Sequence, residues 1–405
     1  MLPIQIKPGI HWIGMNDRST ELFEGLWPIR QEGISYNSYL IDDEKKALID
    51  LSTEQLSGAL ISRIESFFDL SKLDFIIVNH VEPDHSGALQ NLLRIAPQAV
   101  VLGTQKTREM LKNFYGITEK VRVVSDGETL TLGRHQLRFI AAPFVHWPET
   151  MMTLETTENI LFSCDGFGGY GALPGVIFDD EIANLQWYET EATRYFVNII
   201  STFCKPVRNA IAKVSEFTIA IIAPAHGLIW RKDPQCIVRL YQKLVDYATG
   251  PADLGITLIY SSMYGNTERM MEAIAQGIAD EKVPLSIFNA TYAHASYILP
   301  PLWSQLGVMI GSPTYEGGLF PGLAPVLKLA GAKHIQNKVA ARFGSFAWNS
   351  AVQREFESLA AEVKWELAGK LDFNGAPSTE DLANGRSFGA EFARTVNERF
   401  AAQTA

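Results

Sequence analysis

The segment Phe75-Ile-Ile-Val-Asn-His-Val-Glu-Pro-Asp-His-Ser-Gly-Ala88 joins a short apolar run to a loop crowded with metal-binding side chains. The imidazole and carboxylate groups of this loop belong to His80, Glu82, Asp84 and His85. Buried charges are costly unless they are paired or bound to metal, so packing alone explains this concentration poorly. The segment therefore predicts a strand that ends in a metal-binding loop.

Three further candidate ligands, His146, Asp165 and His226, each follow or flank an apolar run elsewhere in the chain. Four imidazoles and three carboxylates together suit two cations of intermediate hardness, with one carboxylate bridging them. The set contains no cysteine, which argues against a structural zinc site of the thiolate type. The remaining histidines lack neighbouring donors at ligand spacing and are interpreted as core or rim residues. They are His11, His135, His294 and His334.

A second signal begins at the apolar segment Ile256–Tyr260, which leads into the hydroxyl-rich loop Ser261–Thr267 and then into an amphipathic helix. A strand, a small polar loop and a helix N-terminus together make an anion site, because backbone N–H groups face the ligand. No Gly-Lys-Ser/Thr sequence closes this loop, so the Walker signature is absent. A loop without lysine suits the monophosphate of a flavin better than a triphosphate.

Two later loops, Ser312–Gly318 and Gly344–Ser350, also follow apolar strands and precede helices. Ligands bind at this carboxyl edge in open parallel sheets. Tyr315, Phe346 and Trp348 could flank a planar isoalloxazine ring there. The alternative for each aromatic residue is that it simply caps the core.

At 405 residues the chain is too long for one ordinary domain and fits two. Gly and Pro mark a candidate boundary at Tyr247–Gly255. We therefore predict one domain at residues 1–250 and another at residues 254–405. The first is strand-rich with intervening helices and suits an αββα sandwich, and the second alternates strands with helices in a doubly wound pattern.

The predicted elements of the first part are strands at Ser35–Ile41, Lys46–Leu51, Val121–Val124 and Leu137–Ala141 and a largely helical stretch at Glu181–Val214. Those of the second part are strands near residues 256–260, 306–310 and 338–343 and helices near residues 267–279, 351–368 and 379–401.

Bulk properties limit the partners and the compartment. A net charge of −10 disfavours nucleic acid and anionic membranes as partners. No apolar run approaches the length of a membrane span, and the N-terminal residues lack the layout of a signal peptide. The three cysteines form no Cys-x-x-Cys pair, which suits a reducing cytosol and excludes a rubredoxin module within this sequence. We expect a cytoplasmic protein.

The His-x-Glu-x-Asp-His loop with its later His, Asp and His resembles the metallo-β-lactamase-like fold, but hydrolases of that fold usually have His at the position of Glu82. An added carboxylate suits redox-active iron. Together with the loop at Ser261–Thr267, which resembles the phosphate loop of flavodoxins, these motifs make nearly the whole chain similar to the flavodiiron protein family. The implied fold class is α/β, with a metallo-β-lactamase-like αββα sandwich followed by a flavodoxin-like doubly wound parallel sheet.

The resemblance implies two iron ions and one FMN. One iron would be held by His80, Glu82 and His146, and the other by Asp84, His85 and His226, with Asp165 bridging them. Members of the family differ in whether the histidine matching His85 is a ligand. Tyr195 matches a position from which a tyrosine could donate a hydrogen bond to a bound oxidant; the alternative is that it packs under the metal-bearing sheet.

The implied FMN contacts come from the three loops after the strands. They are Ser261, Met263, Gly265, Asn266, Thr267, Pro313, Thr314, Tyr315, Glu316, Gly317, Ser345, Phe346, Ala347 and Trp348. The family usually has Gly where Ala347 stands, so this sequence departs from the family pattern at one of the implied backbone contacts with the flavin ring.

The implied activity is reduction of dioxygen to water, of nitric oxide to nitrous oxide, or of both, with electrons passed through FMN. The donor would be external, such as a rubredoxin-like protein, a reduced flavin or a deazaflavin. The family's head-to-tail homodimer, or a dimer of dimers, would bring the FMN of one chain to the iron of another. The alternatives are a zinc-dependent hydrolase with an appended flavodoxin-like domain, and an electron carrier or sensor with a degenerate metal loop. The sequence leaves the choice of oxidant and of donor open.

Overall fold

The computed structural model describes residues 2–404, the side chain of residue 404 excepted. The chain forms two compact units, Met1–Val245 and Asp246–Ala405. The division falls just before the predicted boundary segment Tyr247–Gly255. No described helix combines the length and apolar character needed to cross a bilayer.

The strands of the first unit are short. They are β1 (Ile4–Lys7), β2 (Ile10–Trp12), β3 (Met15–Asp17), β4 (Leu22–Phe23), β5 (Trp27–Pro28), β6 (Ile34–Tyr36), β7 (Tyr39–Ile41), β8 (Ala47–Ile49), β9 (Phe75–Ile77), β10 (Val100–Gly103), β11 (Val121–Val123), β12 (Thr129–Thr131), β13 (Gln136–Ala141), β14 (Met151–Glu155), β15 (Ile160–Cys164) and β16 (Ile221–Pro224). The helices are α1 (Ser57–Glu65), α2 (Pro83–Ser86), α3 (Leu89–Ile95), α4 (Gln105–Tyr115), α5 (Leu185–Tyr195), α6 (Cys204–Val214) and α7 (Pro234–Asp246).

Two sheets form the centre of this unit. One has seven strands in the order β1-β2-β7-β8-β9-β10-β11, and the other has five in the order β12-β13-β14-β15-β16. They face each other, since the ring of Tyr39 on β7 lies 4.8 Å from that of Phe162 on β15. Apolar residues of α1, α3 and α4 pack in one core with residues of the seven-stranded sheet. Burial of both faces of a sheet accounts for nearly continuous apolar strands such as β15.

The register of the second sheet positions two distant parts of the chain. Strands β15 and β16 run parallel, and Cys164 pairs with Pro224 at their carboxyl ends. The residues that follow these two strands therefore meet at one rim of the sheet. Asp165 and His226 stand in those following segments.

The second unit contains β17 (Asp253–Tyr260), α8 (Asn266–Asp280), β18 (Leu285–Asn289), α9 (Ala295–Ser304), β19 (Gln305–Gly311), α10 (Leu323–Ala332), β20 (Val339–Phe346), α11 (Val352–Glu362), β21 (Glu366–Asn374) and α12 (Thr379–Thr404). Its five strands are parallel, in the order β18-β17-β19-β20-β21. Helices α8 and α12 approach closely through glycines: a Cβ on Gly277 would lie 1.9 Å from the carbonyl oxygen of Arg386. This order is that of a flavodoxin-like doubly wound sheet.

One predicted strand in the first unit was wrong in detail. The segment Ser35–Ile41 is divided into β6 and β7, which pair in different sheets. Asn37 stands at the break, where its side chain donates hydrogen bonds to the carbonyl oxygens of Pro224 and Gly227. The strands predicted at Val121–Val124 and Leu137–Ala141 are present as β11 and β13, which lie in different sheets.

The predicted helix at residues 351–368 was wrong after residue 362. Helix α11 ends there, and β21 occupies Glu366–Asn374. The two-residue alternation of Leu367, Leu371 and Phe373 is typical of a strand and was overlooked. Strand β20 extends to Phe346, three residues beyond its predicted end. The helix expected after the loop Ser312–Gly318 is α10, whereas β18 and α9 were not predicted.

Candidate metal centre and cofactor-binding edge

The seven predicted metal ligands lie together at the ends of strands of the first unit. His80 follows β9, and the next donors are on or beside α2, which begins at Pro83. Proline suits the first turn of a helix because its missing N–H would have no partner there. Asp84 and His85 lie on this single turn, and Glu82 immediately precedes it. The other three donors lie after β13, β15 and β16.

One group of donors surrounds Glu82. Its Oε2 atom lies 3.2 Å from Nε2 of His80 and 3.0 Å from Nε2 of His146. Oδ2 of Asp165 lies 3.4 Å and 3.5 Å from the same two nitrogen atoms. The donor atoms of these four residues are all within 4.8 Å of one another, which is a spacing that fits one cation.

The second group surrounds Asp84. Its Oδ1 atom lies 3.3 Å from Nε2 of His85, and its Oδ2 atom lies 3.2 Å from Nε2 of His226. Oδ1 of Asp165 lies 3.1 Å and 3.3 Å from these imidazole nitrogens. Asp165 therefore presents one oxygen to each group, as a bridging carboxylate would. His85 points into the centre with the other donors.

Several of these buried atoms have no hydrogen-bond partner among the described residues. They are both carboxylate oxygens of Asp84, Oδ2 of Asp165 and the Nε2 atoms of His85 and His226. Buried polar atoms without partners are rare and costly, and each needs an explanation. Two cations at this mixed imidazole and carboxylate centre would satisfy all of them, so the donor set fits a dinuclear metal site.

The electrostatics of the centre favour positive charge. Burial lowers the pKa of His80, but hydrogen bonds to Glu149 and Glu82 outweigh it and raise that pKa to about 10. Burial likewise opposes charge on His226, yet the nearby carboxylates of Asp165 and Asp84 raise its pKa to about 10. The surrounding carboxylates therefore stabilise cationic partners, and metal ions would take the place of the imidazole protons.

Tyr195 lies at the end of α5, and its hydroxyl donates a hydrogen bond to Oδ1 of Asp165 over 2.9 Å. Both side chains are buried. A π-helical turn follows at Phe196–Ile200, and such turns are frequent at functional sites. The structure thus brings Tyr195 to the metal centre, while its role in the reaction stays a prediction.

Two hydrogen-bond partners of the predicted ligand histidines were not recognised in the sequence. Glu149 lies 2.6 Å from Nδ1 of His80, and Nδ1 of His226 donates to the carbonyl oxygen of Ser35 over 2.8 Å. Glu149 stands three residues after His146, so an acidic residue near a predicted ligand was the available signal. A backbone carbonyl gives no such signal, because every residue has one.

The second unit gathers the predicted flavin contacts at the carboxyl ends of β17, β19 and β20. In the first loop, the Oγ atom of Ser261 is buried without a hydrogen-bond partner among the described residues. Gly265, with φ at +84°, precedes the first residue of α8. An unpartnered hydroxyl beside a helix N-terminus fits the phosphate of FMN.

The other two loops lie beside the first. The amide N–H of Thr314 donates to the carbonyl oxygen of Ser345 over 2.8 Å, and Oγ1 of Thr267 is 3.3 Å from Oγ of Ser345. Trp348 is 92% exposed, so its ring does not cap the core. Tyr315 is 38% exposed, and its ring also packs against that of Phe320.

The fourteen predicted FMN contacts therefore all belong to three neighbouring segments, but not all lie in loops: Asn266 and Thr267 begin α8, and Ser345 and Phe346 end β20. Side chains and backbone around Ser261 fit the flavin phosphate. Contact of each residue with FMN stays a prediction.

Comparisons with known proteins agree with the folds of both units. Residues 34–227 match the ODP family beta lactamase. The chain is 34% identical to the anaerobic nitric oxide reductase flavorubredoxin of Pectobacterium carotovorum over 399 residues, which cover 97% of this chain and 78% of the relative.

Solved structures extend the similarity to the whole fold. The rubredoxin oxygen:oxidoreductase of Desulfovibrio gigas superposes with a TM-score of 0.91 at 27% identity, covering 98% of this chain and all of that one. The flavodiiron protein of Giardia intestinalis gives a TM-score of 0.93 at 26% identity, covering 100% of this chain and 98% of that one.

The chain belongs to the flavodiiron protein family. The family and the α/β fold class predicted from the sequence are thereby confirmed. In this flavodiiron protein, the seven clustered donors fit a diiron centre, and the edge of the sheet beside Ser261 fits the flavin. Which of these residues are ligands stays a prediction.

Proposed function

We propose that this flavodiiron protein is an oxidoreductase that reduces dioxygen, nitric oxide or both with electrons received through FMN. The single observation that carries the proposal is the position of Asp165, which presents one carboxylate oxygen to each of two donor groups. The names of the relatives, a nitric oxide reductase and an oxygen:oxidoreductase, support these two oxidants.

His80, Glu82 and His146 would hold one iron and Asp84, His85 and His226 the other. Iron held by these residues would supply the electrons, so that dioxygen with four electrons and four protons would give two waters, or two nitric oxide molecules with two electrons and two protons would give nitrous oxide and water. The protein's own contribution is to fix the donors in a buried place and to orient the bridging carboxylate. Tyr195 does the latter through its hydroxyl.

We also propose the domain assignment and the assembly. Residues 1–250 would carry the iron and residues 254–405 the FMN. A head-to-tail homodimer, or a dimer of dimers, would bring the FMN of one chain to the iron of another. Light scattering gives the oligomeric state in dilute solution, and turnover is measured on the same sample. A monomer with full activity would contradict the proposed assembly.

The electron donor would be a separate molecule, either a rubredoxin-like protein or a reduced flavin or deazaflavin. The names of the relatives, a flavorubredoxin and a rubredoxin oxygen:oxidoreductase, support a rubredoxin-like donor. The few cysteines, of which Cys164 is buried, also support a cytoplasmic location.

A zinc-dependent hydrolase is not favoured. Its usual histidine is replaced by Glu82, and a hydrolase has no need for a flavin half. A non-enzymatic carrier or sensor is disfavoured because competent donors occupy all seven positions.

The decisive experiment measures metal and FMN content together with consumption of the two oxidants. About two irons and one FMN per chain are expected from the donor set, with oxygen or nitric oxide consumed when a reduced flavin or rubredoxin is supplied. Two zinc ions without flavin, or iron and FMN without consumption of either gas, would contradict the proposal.

A further inference from the structure

Glu149 is a buried carboxylate that contacts His80, a predicted metal ligand, on the side of the imidazole opposite the other donors. It is 1% exposed. Its Oε1 atom accepts two hydrogen bonds, from Nδ1 of His80 over 2.6 Å and from the amide N–H of Val81 over 2.9 Å. Its other oxygen has no hydrogen-bond partner among the described residues. A short bond to an ionised acceptor is among the stronger hydrogen bonds in proteins.

This contact fixes how His80 faces the metal centre. A carboxylate oxygen can only accept, so Nδ1 of the imidazole carries the proton and donates. Nε2 is then the atom that faces Glu82 and Asp165, at 3.2 Å and 3.4 Å. The ring of Trp147 stands perpendicular to that of His80 with 5.0 Å between centroids, which restricts rotation of the imidazole.

The second donor group is built differently. Nδ1 of His226 donates to the neutral carbonyl oxygen of Ser35 over 2.8 Å. A carboxylate partner makes an imidazole a more basic metal ligand than a carbonyl partner does. Each half of the centre has two imidazoles and one terminal carboxylate. The halves differ in the group that accepts a hydrogen bond from one imidazole, which is a charged carboxylate in the first and a neutral carbonyl in the second.

We propose that Glu149 is a positioning residue that strengthens metal binding by His80 and makes the two metal positions inequivalent. The proposal rests on the dinuclear centre of the proposed function. The ion held by His80, Glu82 and His146 is retained more tightly because of the added negative charge. When iron occupies both positions, the ion beside His80 has the lower reduction potential for the same reason.

The variant Glu149→Gln separates the effect of the negative charge from that of the hydrogen bonds. Its amide oxygen can accept from His80 and Val81 as Oε1 does, so the imidazole orientation is kept while the negative charge is lost. Glu149→Leu removes the acceptor as well.

A matched control stands at the end of β14, the strand that follows Glu149 in the chain. Glu155 is also buried and lies 3.0 Å from Nδ1 of His135, which is remote from the seven donors. Glu155→Gln therefore makes the same change in a buried Glu–His pair without touching a candidate ligand.

The measurement is the rate at which a chelator removes each of two metal ions from the full chain, loaded with zinc, cobalt or iron. In Glu149→Gln one of the two ions should leave about 10- to 100-fold faster than in the wild type. The other ion and both ions of Glu155→Gln should leave at the wild-type rate. Bound FMN and circular dichroism verify that each variant is folded. If Glu149→Leu fails to fold, Glu149→Gln decides alone.

Equal removal rates in the wild type and Glu149→Gln, or equal acceleration of both ions, would overturn the proposal. In the iron-loaded chain, the separation between the two one-electron steps of a reductive titration should narrow in Glu149→Gln. A chain that binds two zinc ions and no flavin would contradict the proposed function, while the chelator experiment would still test Glu149. A chain that binds no metal would overturn both.

Discussion

The hydroxyl of Tyr195 donates a 2.9 Å hydrogen bond to the Asp165 oxygen that faces His85 and His226. Both side chains are buried, and a tyrosine at this depth stays protonated, because burial and then the charge of Asp165 raise its pKa well above the ordinary value. The hydrogen bond therefore orients the carboxylate that faces both donor groups.

Tyr195→Phe should leave iron and FMN in place but lower turnover about tenfold, which corresponds to about 1.4 kcal/mol of activation free energy. The bridging carboxylate would lose a donor that orients it. Oxygen and nitric oxide electrodes measure the rates, with elemental analysis of the same samples. Tyr241→Phe is the control, since that buried hydroxyl donates to the carbonyl oxygen of Gly168 and to no candidate ligand. Unchanged rates with both gases in Tyr195→Phe would contradict the prediction.

Asp165→Ala should abolish reduction of both gases and remove most of the iron, because both donor groups lose a shared ligand. FMN should stay at about one per chain, since its predicted contacts all lie in the second unit. Elemental analysis and the visible spectrum test both expectations. Asp179→Asn is a suitable control, because Asp179 is a buried carboxylate that accepts backbone hydrogen bonds from Arg231 and Lys232. Retained turnover in Asp165→Ala would exclude the bridging role.

Ser261→Ala should weaken FMN binding by about 10-fold or more, because a hydrogen bond to a charged group contributes about 1.5–3 kcal/mol. The flavin-free protein should keep its stability, since the Ser261 hydroxyl has no partner among the described residues. Fluorescence titration with FMN and thermal unfolding separate the two effects. Ser304→Ala, just before the amino end of β19, should leave FMN affinity unchanged. Equal affinities for Ser261→Ala and the wild type would remove Ser261 from the phosphate site.

Lys338 should make stability depend on pH. Its ammonium group donates to the carbonyl oxygens of Trp303 and Gln305, but burial lowers its pKa to about 7, despite the opposing charge of Asp253. An unfolded lysine titrates near pH 10.4. Between these values the unfolded chain binds a proton that the folded chain lacks, so this residue makes the free energy of unfolding rise with pH from about 7 upward.

Lys338→Met should remove this contribution, and its gain in stability relative to the wild type should be larger at pH 6 than at pH 9. Denaturant unfolding of the full chain at both pH values measures it. The exposed Lys328 provides the control variant Lys328→Met. If the difference between Lys338→Met and the wild type is the same at both pH values, Lys338 is charged throughout that range and the prediction fails.

Local sequence predicted much of the fold. The strand, loop and helix at Ile256–Asp280 were recognised because all their signals are neighbours along the chain. The break between β6 and β7 was not, since the side chain of Asn37 bonds to Pro224 and Gly227, far away in sequence. Strand β21 was missed because the run after α11 was assigned by continuity of the helix and not by its two-residue alternation.

The sequence by itself determined which donors are present and that two cations suit them, because side-chain chemistry does not depend on where the chain folds. It also placed four donors together, since they lie in one short segment, residues 80–85. Only the tertiary structure decided that the two oxygens of Asp165 face different donor groups and that Glu149 contacts His80. The parallel register of β15 and β16 creates the first relationship, and the second joins residues 69 positions apart. Such distances and orientations are set by the packing of whole sheets, which no local segment encodes.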